Sequence, residues 1–379
     1  MSRLVRTVAG RPGDRGREFG AAHSELVEAC FDGYLRLFGA GDAAAEVDVL
    51  AWGEEALAAL AAWAPPLAEE IEGVAAGAGL DPAAVAALNA RTEILAKVAR
   101  RLRGECSTLV ALDAEGGDPV GAQTWDWHQE LAGAWLVWEL RDEASGLGVQ
   151  TLTEAGILGK IGVNSAGIAV LLNVLHHDAD GEGPVRVPVH ALLRRILTEA
   201  TTVFDAVRLI SSAPLSASSA VTVVAAEGGE STALTAELRP GERPAYLLPD
   251  ADGVLVHTNH FLAERGRPGD REPLLGPDSM FRLDVLRRRA ARLGERSPAG
   301  LVAALGSHLG GGGAICCHPE PGAGLGDRYA TLATVTVEPA ARRLRFAAAG
   351  PCEATAADWT ELQAPLDSPT AKETDVRPN

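Results

Sequence analysis

The stretch Arg103-Gly104-Glu105-Cys106-Ser107-Thr108 marks the point where the texture of the chain changes. Before it, apolar residues recur at helical spacing. Residues 17–38 carry Phe19, Leu26, Ala29, Cys30, Tyr34 and Leu37 on one such pattern. Residues 42–63 continue with Val47, Leu50, Leu57 and Leu60 until Pro65-Pro66 stops them. A helix over 67–76 is expected to end at Gly77. Asp81-Pro82 reads as an N-cap and a first-turn proline for a helix over 83–102. Residues 1–103 are thus an all-helical front end. After Gly104 the runs are short and strand-like: 107–112, 120–127, 135–139, 149–153 and 157–163. The continuous apolar run 167–172 fits a strand buried on both faces. Helical spacing returns at 188–210, 278–293 and 298–307, and further strands are expected at 220–226, 231–238, 254–258, 330–337 and 344–348. From Thr360 onward, Pro, Asp, Thr and Ser dominate, and the tail 360–379 is expected to be disordered. Alternating blocks of helices and strands fit an α+β layered sandwich, two sheets covered by helices on their outer faces.

The bulk numbers narrow the function classes. The 379 residues carry 34 Lys+Arg against 51 Asp+Glu, a formal net charge of −17. Such a balance repels phosphate backbones and anionic lipid, so neither nucleic acid nor a membrane surface is an expected partner. The Arg-rich stretch 282–296, with Phe281, Val285, Leu286 and Leu293 as its apolar positions, reads as the solvated face of a helix. The five cysteines (Cys30, Cys106, Cys316, Cys317 and Cys352) are odd in number and irregular in spacing. That argues against a disulfide framework and for a reducing, cytoplasmic setting. No Cys-x-x-Cys pair is present, so no structural zinc site, no other metal and no cofactor are expected. The first residues lack the apolar run of a signal peptide, and nothing reaches the roughly 20 apolar residues of a membrane span.

Four clusters hold residues able to do chemistry. Cys106 precedes a strand, where a cysteine is ordinarily a small buried hydrophobe. Trp125-Asp126-Trp127 sets a carboxylate between two indoles, which is costly to bury without a partner. Gly162-Val163-Asn164 is a turn-like cluster, and Asn173 follows within an apolar run where its amide needs hydrogen bonds. His257-Thr258-Asn259-His260 reads as a polar loop, or as two histidines that fall short of a metal site without a third ligand.

Taken in order, these clusters resemble the cysteine N-terminal-nucleophile family named after isopenicillin-N acyltransferase and, more distantly, penicillin V acylase and bile salt hydrolase. The stretches Gly16-Arg17-Glu18-Phe19-Gly20-Ala21-Ala22-His23 and Leu88-Asn89-Ala90-Arg91-Thr92-Glu93 resemble its pro-region motifs. Ala217-Ser218-Ser219-Ala220 resembles its middle motif, with Val221 where a polar residue is usual. The resemblance implies a four-layer αββα sandwich and self-cleavage between Glu105 and Cys106. Glu105 stands where the family more often has Gly. Residues 1–105 would become an α chain that stays associated with a β chain, whose catalytic part is 106–359. The resemblance further makes Cys106 the nucleophile, with its own freed amine as base, and Asp126 the group that orients that amine. Asn259 would supply an oxyanion-hole amide, and Asn173 a main-chain N–H or a supporting bond. Arg282 would match a substrate-binding arginine, against the plainer reading of one more surface arginine on a basic helix. The implied substrate is a small acyl-amide or acyl-thioester, and Trp125, Trp127, Trp135 and Trp138 either line an acyl pocket or belong to the core. A homo-oligomer is compatible with the sequence. Two rival readings are an inactive relative that binds small molecules and a papain-like Cys/His protease, which needs Cys106 at a helix start rather than before a strand.

Overall fold

Residue-by-residue alternation in the strand runs builds two sheets, and the helical runs cover their outer faces. The computed structural model describes residues 3–39, 46–98, 106–112, 118–324, 327–354 and 359–364. The first sheet has eight strands in the order β1 (Leu4–Arg6), β4 (Trp135–Arg141), β5 (Gly148–Glu154), β6 (Ile161–Asn164), β7 (Ile168–Val174), β8 (Ser219–Glu227), β9 (Glu230–Leu238) and β10 (Ala245–Leu247). The second has six, in the order β11 (Val254–His257), β2 (Ser107–Ala111), β3 (Val120–His128), β12 (Tyr329–Glu338), β13 (Arg343–Ala347) and β14 (Thr360–Gln363). All pairs are antiparallel except β1 with β4.

The front end comprises α1 (Pro12–Ala22), α2 (Ser24–Gly39), α3 (Glu46–Trp63), α4 (Pro65–Ala78), α5 (Pro82–Asn89) and α6 (Arg91–Val98). Further along come α7 (Val189–Glu199), α8 (Val203–Ser212), α9 (Glu272–Leu275), α10 (Asp278–Ala290), α11 (Pro298–Leu305) and α12 (Pro351–Ala354). Helix α7 packs on β5, β6 and β7, and α8 on β8; α10 packs on β2 and β11, and α11 on β2, β3 and β12. The result is the helix–sheet–sheet–helix order that the resemblance implies. The sheets meet face to face: a Cβ at Gly121 on β3 would press on Leu171 and Val224 of the other sheet at 3.2 and 3.5 Å. Gln123 crosses the same seam, donating to the Leu172 carbonyl at 2.6 Å and accepting from the Leu172 N–H at 3.3 Å. Burying each large aliphatic side chain in this seam contributes on the order of 1.5–3 kcal/mol.

Several expectations are corrected. The front end is not wholly helical, because Leu4–Arg6 adds a parallel edge strand to the first sheet. The run 17–38 divides at His23 into α1 and α2, the run 83–102 divides at Ala90 into α5 and α6, and 188–210 divides at Ala200. Of 157–163 only its end is strand. Gly77 does not stop α4; Gly79 does, at φ 73°, in the left-handed conformation that glycine adopts without a Cβ penalty. Gly77 and Gly73 instead face Gly16 and Gly20 of α1. A Cβ at Gly16 would sit 2.2 Å from the Glu70 carbonyl, and one at Gly77 2.4 Å from that of Arg17. The two backbones therefore touch, which only glycine permits. Asp81 caps α5 as expected, its carboxylate accepting from the Ala83 N–H at 2.8 Å. Thr360–Gln363, assigned to the tail, is an edge strand on β13 because Leu362 has an apolar slot to fill; 365–379 lie outside the described residues.

Candidate active site

Cys106 stands immediately before β2, at the seam of the two sheets, and is 6 % exposed. Its main-chain carbonyl accepts two hydrogen bonds, from Asn173 Nδ2 at 3.0 Å and from Arg282 Nη1 at 3.1 Å. Asn173 comes from β7 of the opposite sheet, and its own Oδ1 accepts from Thr108 Oγ1 at 2.7 Å. This meets the demand of an amide set among Leu and Val. Of the two roles considered for Asn173, the geometry shows the side-chain bond.

Arg282 lies on α10 and is 2 % exposed, so the surface-arginine reading is overturned. Helical periodicity turns it inward with Leu283 and Leu286, whereas Arg288 points outward. Its guanidinium uses its whole fork: Nε to Asp278 at 3.0 Å, Nη1 also to Ser107 Oγ at 3.2 Å, and Nη2 to Asn259 Oδ1 at 3.1 Å. Asn259 is oriented from the other end as well. Its Nδ2 donates to the Val174 carbonyl at 2.9 Å, and its main-chain N–H donates to Ser279 Oγ at 2.8 Å. A side-chain amide nitrogen carries two hydrogens, so this bond uses one of them.

Asp126 is on β3, twenty residues after Cys106. Alternation along β3 puts its carboxylate on the face opposite Trp125 and Trp127, so the indoles do not flank it. Two hydroxyls are among its partners: Thr331 of β12, directly opposite in register, donates to Oδ1, and Thr124 donates to Oδ2 at 3.2 Å. The Cys106 thiol lies 3.8 Å from the Asp126 carbonyl oxygen. Burial, and next the Asp126 carboxylate, push the Cys106 thiol up to about 12, while Lys160 and Arg282 pull against them. In the uncleaved chain the thiol is therefore held neutral. Glu105 lies outside the described residues.

On the other face of β3 is a second set of polar residues, of which only Arg91 belongs to a motif. Glu154 accepts from Tyr34 and Lys160 and pairs with Arg91 at 3.3 Å. Lys160 Nζ stands 3.9 Å from the Trp125 ring centre, and Arg91 stacks over Trp127 at 4.2 Å. Burial lowers Lys160 to about 7. Lys160 had one sequence signal, a lone cation in the apolar run 157–163; Thr331 had none. Arg91 belongs to the motif Leu88–Glu93, which is buried throughout. Asn89 bonds the Gly156 carbonyl and the Leu158 N–H at 2.8 and 2.9 Å, and Glu93 accepts from the Val189 N–H at 2.8 Å. Trp125, Trp135 and Trp138 are core, the first two edge to face at 5.9 Å, and Trp127 bonds Tyr34 at 2.9 Å.

His257 and His260 do not converge as metal ligands. His257 pairs with Glu237 at 2.9 Å and His260 with Ser279 Oγ at 2.8 Å. Beyond them, between β11 and α10, lies a cleft of about 640 Å³ lined by Leu255, His260, Phe261, Met280 and Leu283 among others. It reaches the residues next to Asn259 and stops short of Cys106. Among the described residues, no helix is long and apolar enough to cross a membrane.

A curated relative, the 40 kDa form of acyl-coenzyme A:6-aminopenicillanic-acid-acyltransferase of Emericella nidulans, is 34 % identical over 219 residues, 58 % of each chain. The chain thus spans less than two thirds of that relative's length. Two solved structures resemble it at lower identity. An N-acylethanolamine-hydrolyzing acid amidase ortholog of Caenorhabditis elegans is 16 % identical, with a TM-score of 0.44 over 62 % of this chain and 93 % of that one. Penicillin V acylase of Agrobacterium tumefaciens is 15 % identical, with a TM-score of 0.43 over 68 % of this chain and 86 % of that one. The sequence model of one family matches residues 113–353, a span that takes in Asp126, Asn173, Asn259 and Arg282 and begins seven residues after Cys106. By that match the chain belongs to the acyl-coenzyme A:6-aminopenicillanic acid acyl-transferase family.

Proposed function

We propose that this protein is a self-processing cysteine amidohydrolase or acyltransferase that acts on small acyl-amides or acyl-thioesters (N-acyl amino acids, peptides or acyl-lactam-like compounds) through a Cys106 thioester. The observation that carries the reading is the set of contacts around Cys106: Asn173 and Arg282 bond its carbonyl, Arg282 in turn bonds Asn259, and the Asp126 main-chain carbonyl lies 3.8 Å from its thiol. Family membership supports it.

In the precursor, the Cys106 thiol attacks the Glu105 carbonyl carbon. The peptide nitrogen leaves as the amine of Cys106, and water hydrolyses the resulting thioester. Residues 1–105 and 106–379 become two chains held together by the sheet and helix packing already described. The freed amine has a pKa near ~7.7–8.0, so the nucleophile carries its own base within one residue. Asp126, aimed by two threonines, orients the amine. A substrate carbonyl attacked by Sγ develops negative charge on oxygen, and the second N–H of Asn259 is the preorganised donor for it. The amine of the substrate leaves with the proton taken from the thiol. Water, or an acceptor amine, then releases the acyl group from sulfur. Arg282 holds Asn259 in place and marks the substrate side of the site.

Intact mass under denaturing conditions tests this. The parent, 39.3 kDa, is expected as two pieces of roughly 11 and 28 kDa by proportion of length, and Cys106→Ala is expected to stay whole. A parent that stays whole after long incubation overturns self-processing and leaves an inactive binding protein as the better reading.

A further inference from the structure

Far along the chain from the motifs, four side chains with metal-binding atoms meet at one point. His308 follows α11, Cys316 and His318 lie in the loop before β12, and Cys352 lies in α12. Their ligand atoms all fall within 4.8 Å of one another. His318 Nε2 is the hub: it lies 3.2 Å from His308 Nε2, 3.6 Å from Cys316 Sγ and 3.4 Å from Cys352 Sγ. One ring nitrogen makes one in-plane hydrogen bond, so three such neighbours at once are not explained by hydrogen bonding.

A tetrahedral ion explains them. With Zn–S of about 2.3 Å and Zn–N of about 2.05 Å, the edges of a regular tetrahedron are about 3.4 Å for N···N and about 3.6 Å for N···S. The three separations from His318 are within about 0.2 Å of those values, and the remaining pairs, all within 4.8 Å, close up on loading. We propose that His308, Cys316, His318 and Cys352 form a Cys2His2 site for one zinc ion. Two thiolates and two imidazoles leave no open coordination position, so the ion is structural rather than catalytic. On loading, both thiols release their protons to solvent. The proposal departs from the expectation of no metal, which rested on the missing Cys-x-x-Cys pair. Here only Cys316 and His318 are close in sequence, and the other two ligands arrive from the loop after α11 and from α12.

The location gives the ion a task. The Cys316 N–H donates to the Ser307 carbonyl at 3.0 Å, tying both sides of the loop beside the ligands. The adjacent Cys317 N–H donates at 2.9 Å to Thr331 Oγ1, the hydroxyl that donates to Asp126. An ion bound by this tetrad clamps the loop whose next residue sets the lone pairs of the Thr331 hydroxyl. The proposal stands whether or not Cys106 is a nucleophile.

The test uses the untagged, full-length protein. Metal analysis of freshly isolated protein is expected to find about one zinc per chain. After reduction and chelation, cobalt(II) alone is expected to restore one ion per chain, with thiolate charge-transfer bands and the intense visible bands of a tetrahedral site. Separate His308→Ala and Cys352→Ser variants, both at exposed positions, are expected to weaken cobalt binding at least about tenfold and to lose the tetrahedral spectrum. A Cys30→Ala variant is expected to keep both. Failure of the reduced parent to take up cobalt, a Cys316–Cys352 disulfide in metal-free isolated protein, or unchanged binding in both ligand variants would each overturn the site.

Discussion

Two buried carboxylates in this protein each sit between two cations, yet they differ in kind. Glu70 on α4 pairs with Arg15 of α1 at 2.8 Å and with Arg194 of α7. Glu154 on β5 pairs with Arg91 of α6 and with Lys160. Both carboxyls are pushed up by burial but held below their ordinary range by their cations. The Glu70 cations are arginines, whose planar fork stays charged and bonds two oxygens at once. The Glu154 set includes a lysine lowered by burial to about 7 that stands over the Trp125 ring. The first set joins three helices; the second can change its protonation beside Cys106.

The largest expected effect breaks the first set. Glu70→Ala leaves Arg194 buried without its carboxylate and Arg15 with Asp142 alone, at 3.6 Å, and should cost about 3–5 kcal/mol in urea unfolding. The folded fraction should alkylate at Cys106 as fast as the parent. A loss of Cys106 reactivity in folded Glu70→Ala would erase the distinction between the sets.

The second effect is smaller and is read by pH. Lys160→Met removes a charge that pulls the Cys106 thiol down, so alkylation of Cys106 in the Cys106-intact precursor should slow. One unit of thiol shift, about 1.4 kcal/mol, corresponds to about tenfold. Because the folded chain loses the Lys160 proton near pH 7 and the unfolded chain keeps it to the ordinary lysine range, this group makes stability rise with pH over that window. Its cost is fully present below pH 7. Lys160→Met should flatten that rise, measured as urea midpoints from pH 6 to about 10. The Glu70 set should act at the opposite end: its stabilisation is present above the ordinary carboxylate range and is lost as pH falls through the lowered value. A Lys160→Met protein with the parent's slope would show that the lysine does not titrate there.

The smallest effect concerns a third buried carboxylate, Asp126, which is held by hydroxyls. Thr331→Val removes one neutral donor and should cost about 0.5–1.5 kcal/mol. If processing slows far more than stability falls, the hydroxyl positions Asp126 for chemistry; equal losses would make it a packing contact.

The layered order was readable because strand alternation and helical spacing are local signals, and most runs lie within a few residues of their strands and helices. What escaped were features decided by distant partners. Leu4–Arg6 is too short to show a period, and its strand exists only because β4 offers an open edge. Gly77 looked like a stop, but its missing side chain serves α1. Asp126 and Asn173 were identifiable through the resemblance, and Asn173 also as an amide among aliphatic residues. Thr331 was not, since a threonine in a strand is ordinary. The arginine fork at 282 was misjudged because its neighbours in sequence are solvated, and only the helix's contact with β2 turns it inward. The His308–Cys352 tetrad spans 44 positions without a repeating spacing and is visible only in three dimensions.

The parallel strand Leu4–Arg6 has a consequence for how this protein dies. If the chain is cut before Cys106 as proposed, the strand belongs to a separate polypeptide that is woven into the larger one's sheet. Melting then releases two molecules, and recovery requires them to meet again. Refolding of the cut form should slow on dilution and its melting point should depend on concentration, whereas uncut Cys106→Ala returns unimolecularly. The lifetime of such a cut form would be set by how rarely it opens, not by how well it closes.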